Sequence, residues 1–380
     1  MKILSVIGTR PEAIKMAPVV RLLARTPGIE SVVCVSGQHR SMLEQVLQLF
    51  DIQPEHDLSV MSEGQGLNGL CARILQGMDA LLETVKPDRV LVHGDTTTAM
   101  SAALAAFHRH IPVDHVEAGL RTRSLTEPWP EEMNRRVIDV VSQELFTPTE
   151  KARQNLLQES LQGRIHVVGN TVIDALQWVA NRLEEDAALR ASVDARLPTL
   201  RPGRRMLLVT SHRRENHGEG LAQICAALAQ LVAGDQVDVV YPVHLNPQVQ
   251  DMVRERLDGL DGVHLIEPQD YLGFVRLMQR SFLILTDSGG VQEEAPALHK
   301  PVLLLRDVTE RPSVVEAGAV RLVGTDRQRI VDSVEHLLKD EADYARMTRS
   351  INPYGDGHAS ERIVQVLLGH QAAAFGEHTR

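Results

Sequence analysis

The segment His115-Val116-Glu117-Ala118-Gly119-Leu120-Arg121 puts a carboxylate at the end of a β-branched run, with small residues directly after it. Packing gives no reason for that charge, whereas acid–base chemistry does. Asp95 ends a similar run, in Gly94-Asp95-Thr96-Thr97-Thr98 after Val90-Leu91-Val92-His93, with helix capping as the plain structural alternative. Glu131 and Arg135 lie in Pro128-Trp129-Pro130-Glu131-Glu132-Met133-Asn134-Arg135-Arg136 and share one helix face. An exposed ion pair worth ~0.3–0.5 kcal/mol would also explain that spacing. Two prolines around Trp129 make the entry to this helix rigid.

Other segments suit anion binding. Gly8-Thr9-Arg10-Pro11-Glu12 leads into a helix with Lys15 one turn on, and bare amides plus two cations make an anion site. In the second half, Thr210-Ser211-His212-Arg213, Pro242-Val243-His244 and Thr286-Asp287-Ser288-Gly289-Gly290 follow successive apolar runs. Ser288, Gly289 and Gly290 open a helix that a diphosphate could approach closely, and Glu294 one turn further is placed to accept from ribose hydroxyls. Arg306 and Thr309-Glu310-Arg311-Pro312 add cationic reach. GxGxxG and GxxxxGK[ST] are both missing, which counts against a dinucleotide cofactor and a P-loop. The sixteen histidines match neither HExxH nor a zinc spacing, so no metal is expected.

The elements that must carry these groups alternate. Short apolar runs such as KILSVIG, SVVCVSG, DRVLVHGD, IPVDHVEAG, ELFTPT and RIHVVGN are separated by amphipathic stretches over 13–25, 39–50, 67–85, 97–109 and 130–142. This rhythm predicts parallel sheets covered on both faces. It breaks at 176–204, expected as a helical linker between a first domain over 1–175 and a second over 205–357. The second domain repeats the pattern with RMLLVTSH, VDVVYPVH, GVHLIEP, SFLILTDSGG, KPVLLLRD and VRLVGTD. In such sheets ligands bind beyond the carboxyl ends of the strands, and two domains facing each other would form a deep cleft. A last helix over 358–372 could join either domain.

Bulk composition narrows the classes. The 380 residues are 43% hydrophobic, enough for two cores. Forty basic against fifty acidic residues give a net charge of −10, which argues against nucleic-acid binding. The three cysteines, Cys34, Cys71 and Cys225, form no CxxC and suit a cytoplasmic setting. No 18-residue apolar stretch occurs, so no membrane span is expected.

The motifs GTRPEAIKMAP, HGDTTT, HVEAGLRT, PWPEEMNR, SHRREN, PVHLNP, TDSGGVQEEAP and TERP resemble, in order from residue 3 to about 325, the non-hydrolysing UDP-N-acetylglucosamine 2-epimerases. The resemblance implies two Rossmann-like domains of GT-B type, with the last helix crossing back to the first domain. It implies that Asp95, Glu117 and Glu131 are catalytic carboxylates, with Arg135 and His212 as active-site cations. Arg10, Lys15, Ser288, Gly289, Gly290, Glu294 and Arg311 match positions holding the UDP-sugar. Gln38, Met42, Gln45, Arg73 and His244 lie in segments that in some members line a second, allosteric UDP-N-acetylglucosamine site. A cofactor-free homodimer feeding bacterial surface polysaccharide is implied as well.

The expected reaction interconverts UDP-N-acetylglucosamine and UDP-N-acetylmannosamine. UDP would leave C1 as the C2 proton is lost, giving 2-acetamidoglucal, and would add back after reprotonation on the other face. Carboxylates near C2 and cations at the departing diphosphate meet those needs. A GT-B glycosyltransferase, a non-catalytic UDP-sugar sensor and a hydrolysing epimerase are the alternatives.

Overall fold

The computed structural model describes residues 1–37, 40–60 and 64–376. The chain divides into two units: Met1–Ala175 with Tyr354–Arg380, and Leu176–Pro353.

The first unit holds β1 (Lys2–Ile7), β2 (Glu30–Val35), β3 (His56–Asp57), β4 (Arg89–His93), β5 (Val113–Val116), β6 (Glu144–Thr147) and β7 (Arg164–Val167). They form one sheet in the order β3-β2-β1-β4-β5-β6-β7, every pair parallel. The run of buried positions through β1 and β4 fits a sheet covered on both faces. Helix Leu67–Val85 contributes Leu70, Ile74, Met78 and Leu82 at four-residue intervals to the core on one side of that sheet.

The second unit holds β8 (Arg205–Thr210), β9 (Val237–Pro242), β10 (Val263–Ile266), β11 (Leu283–Thr286), β12 (Val302–Leu304) and β13 (Val320–Leu322). Their order is β10-β9-β8-β11-β12-β13, again wholly parallel. Leu221, Ile224, Leu228 and Leu231 of helix Glu219–Ala233 pack into its core.

The stretch 176–204 is helical over most of its length. Helices Thr171–Glu185 and Ala187–Asp194 account for this, and Asp194 takes a bidentate pair from Arg276 of the second unit, with both N–O distances 2.8 Å. The last helix spans Ala359–Leu367 and packs on helix Arg10–Arg25 of the first unit. Its opening amides, Ala359 and Ser360, donate to Asp174 at 3.3 and 2.7 Å. Among the described residues no helix is long and apolar enough to cross a membrane.

Candidate active site

In the first unit the turns after β1, β4 and β5 converge, because these strands are neighbours. Gly8 closes the first turn against helix Thr97–His108: a Cβ there would stand 2.6 Å from Thr98 Oγ1. Buried Glu12 locks this turn, accepting from Gly8 N at 3.2 Å, Thr9 N at 2.6 Å and Thr96 Oγ1 at 2.8 Å. Burial pushes its carboxyl up to about 7 against the pull of those bonds. Thr96 caps helix Thr97–His108 by accepting from Ala99 N. Capping therefore does not occupy Asp95, and that structural alternative falls.

Glu117 sits at φ 70°, a backbone setting uncommon for a residue with a side chain. One carboxylate oxygen pairs with Lys15 Nζ, and the other faces His93 Nε2 at 3.7 Å. Burial favours the neutral acid, yet Lys15 and His93 overcome it and hold Glu117 at about 2. His93 is pushed down to about 3, chiefly by burial, and neither ring nitrogen has a hydrogen-bond partner. Asp95 is driven the other way. Burial raises its pKa most, Arg135 opposes this, and the fields of Glu117 and Glu131 add to the rise. Arg135 Nη2 meets Asp95 Oδ2 at 2.6 Å and Arg135 Nη1 meets Glu132 at 3.4 Å, so its contacts are not the exposed Glu131 pair that spacing allows. Asp95, Glu117, Glu131, Lys15 and Arg135 thus act on one another within a single cluster.

A second layer fixes the Gly94–Asp95 turn. His115 Nε2 lies 2.7 Å from the Gly94 carbonyl and His115 Nδ1 lies 2.6 Å from Asp139. Asp139 also pairs with Arg121 at 2.7 Å, and Arg121 grips Glu159 with two bonds. Asn134 Nδ2 holds the Asp95 carbonyl at 2.9 Å.

In the second unit the organiser is Asp287, fully buried between β11 and helix Gly289–Ala297. It accepts from His212 N, Arg213 N, Ser211 Oγ and Asn216 Nδ2, all within 2.9–3.1 Å. Those bonds tie the loop after β8 to the helix opening at Ser288, Gly289 and Gly290. Arg311 lies against that opening, since a Cβ on Gly289 would be 2.7 Å from Arg311 Nη1. A cation beside bare helix amides suits a phosphate. Burial lowers the His212 pKa, and His244, Arg213 and His217 add to this against Asp287. The rings of His212 and His244 stack, with centroids 5.2 Å apart. Glu294 lies close enough to buried Tyr271 to raise the phenol further after burial has done most of it.

A sequence profile of the UDP-N-acetylglucosamine 2-epimerases matches residues 21–368. The chain belongs to that family. It is 56% identical over 373 residues to the UDP-N-acetylglucosamine 2-epimerase of Yersinia pestis, covering 98% of this chain and 99% of that one. It resembles the Neisseria meningitidis UDP-GlcNAc 2-epimerase bound to UDP-GlcNAc at 49% identity and a TM-score of 0.86, across 97% of this chain and 100% of the other. The Methanocaldococcus jannaschii UDP-GlcNAc 2-epimerase in complex with UDP-GlcNAc and UDP is more distant, at 34% identity and a TM-score of 0.76, over 97% and 100% of the two chains. The protein is therefore an isomerase of the 2-epimerase family with a two-unit parallel α/β fold.

Within this 2-epimerase the remaining expected residues fall in both units. Arg10 opens its helix, with Nη1 4.0 Å from Met42 Sδ. Gln45 is exposed, and Arg73 donates to the Val60 carbonyl at 3.0 Å. His244 belongs with His212, and Gln38 lies outside the described residues. Among the described residues no cluster of His, Cys, Asp or Glu could hold a metal ion. Sequence reasoning missed three residues of the first-unit cluster, Glu12, His93 and Asp139, and one at the second-unit helix opening, Asp287. Three of them stood inside quoted motifs beside the residues chosen, and Asp139 becomes visible only once helix Glu131–Val141 is laid over β5.

Proposed function

We propose that the enzyme reversibly converts UDP-N-acetylglucosamine to UDP-N-acetylmannosamine through elimination and re-addition of UDP. The observation that carries this reading is the opposed tuning of two neighbouring acids. Glu117 is held ionised by Lys15 beside it, while buried Asp95 is pushed toward its protonated form. Such divergence within one site is how an acid and a base are told apart.

Glu117 takes the C2 proton, the C2–H electron pair becomes the C1=C2 bond, and UDP departs with the C1–O pair. Asp95 returns a proton to C2 from the opposite face, the UDP oxygen attacks C1, and the epimer results. Glu131 re-equilibrates the acids between turnovers. Arg135 holds Asp95 in place, while Lys15, His212, Arg311 and the helix opening at Ser288–Gly290 stabilise the departing diphosphate. Arg10 and Glu294 hold the nucleotide.

Incubation with UDP-N-acetylglucosamine alone in heavy water, followed by proton NMR, tests the route. Deuterium at C2 of UDP-N-acetylmannosamine is expected. Product that keeps the original C2 hydrogen refutes the proton transfers, and free N-acetylmannosamine as the main product would indicate hydrolysis.

A further inference from the structure

Around the helix opening of the second unit, three arginines converge on one carboxylate. Glu310 Oε1 meets Arg213 Nη2 at 3.0 Å and Arg311 Nη1 at 2.6 Å, and its Oε2 meets Arg306 Nη1 at 2.6 Å. Two further acids complete the network: Glu293 pairs with Arg311 Nε and Glu215 with Arg306 Nε, each at 2.6 Å. The three positive and three negative charges named here cancel.

That balance is a poor welcome for a diphosphate. An anion entering among these arginines gains net attraction only if one of the carboxylates gives way. The three are not equally able to do so. Glu293 is buried within helix Gly289–Ala297, with its side chain 10% exposed. Glu215 is as exposed as Glu310, at 49%, but pairs with Arg306 alone among these arginines, so its departure would free one cation and not three. Glu310 touches all three arginines, is 45% exposed, and rides on the loop between β12 and helix Pro312–Glu316. The guanidinium it shares with Glu293 is the one lying against Gly289.

We propose that Glu310 is an internal stand-in for the diphosphate: it holds Arg213, Arg306 and Arg311 in the free enzyme, and the diphosphate of the substrate displaces it. The proposal rests on the reading that the second unit takes the UDP group. Its consequence is a deliberately moderated affinity. The arginines stay ordered without ligand, so binding orders little, while the returning carboxylate helps expel UDP. Glu310 is accordingly a positioning residue that sets nucleotide affinity through the arginines.

Titration calorimetry of UDP into the full-length enzyme and into Glu310→Gln, at low ionic strength, tests this. The variant should bind UDP ~5- to 10-fold more tightly, the scale expected when one like charge leaves a partly screened site. Glu310→Ala must move in the same direction, and Glu215→Gln must gain clearly less. UDP binding that is unchanged or weaker in both Glu310 variants would show that the carboxylate only props up the arginines, and would overturn the proposal. An equal gain in Glu215→Gln would overturn it too, by reducing the effect to bulk charge. Failure of the wild type itself to bind UDP would instead refute the functional reading on which the proposal rests.

Discussion

Glu117 joins a strand end, a positive φ, a lysine and a histidine, and its burial, Lys15 and His93 bear on its proton affinity. Replacing it by Gln keeps the shape and removes the charge. Glu117→Gln should fold normally and lose at least ~10²-fold in kcat, the lower range for lost acid–base catalysis. Turnover within a few-fold of wild type would reduce Glu117 to a structural residue. His93 makes a second prediction, through stability. Its folded pKa of about 3 lies below the ordinary histidine value of about 6.5, so the unfolded chain takes up the proton first. The stabilisation is therefore present above about pH 6.5 and drains away as pH falls toward 3. Denaturant titrations across that range should show a shallower acid loss in His93→Gln than in wild type. Parallel curves would mean that His93 is not held neutral. Sequence marked Glu117 because a charge at a buried strand end is conspicuous. It could not mark His93, since a strand-end histidine reads equally well as packing until its two nitrogens are found without partners.

Elements explain why the candidate residues meet. The turns after β1, β4 and β5 adjoin because those strands are adjacent in the sheet, which an alternating sequence pattern implies without giving the strand order. All six strands expected in each half are present, and only the two-residue β3 was missed, being too short to show any period. Capping was harder to read. Asp95 and Thr96 are both good cap residues, and only the bond from Ala99 N to Thr96 decides between them. The 2-epimerase offers an element-scale test at Gly289, where the helix opening and Arg311 touch. A methyl there would push aside the tip of a flexible side chain, so stability should barely change. Gly289→Ala should raise KM for UDP-N-acetylglucosamine by ~10-fold, about the loss of one charge-assisted contact, with melting temperature held within a few degrees. Unchanged KM would detach Arg311 from substrate binding.

At the scale of the molecule, composition excluded more than it identified. A net charge of −10 spoke against nucleic acid, yet it concealed local clusters of cations at Lys15 and Arg135 and at Arg213, Arg306 and Arg311. The proposed elimination moves protons and UDP and needs neither hydride nor metal. Activity should accordingly be complete without added nicotinamide and unaltered by a chelator, as assayed by following epimer formation directly. A nicotinamide released on denaturation, or loss of activity with chelator that zinc or magnesium restores, would refute that.

The way the chain enters each unit bears on how the protein is made. Leu176–Pro353 is one unbroken stretch, whereas the first unit needs both Met1–Ala175 and the returning Tyr354–Arg380. On the ribosome, the second unit has all its strands before Tyr354–Arg380 is made. The first must wait for the helix whose amides cap onto Asp174 and whose apolar face covers helix Arg10–Arg25. Of the two units, the one that begins earlier in the sequence is thus completed later, and the face of helix Arg10–Arg25 that the returning helix covers stays open until Tyr354–Arg380 has been made.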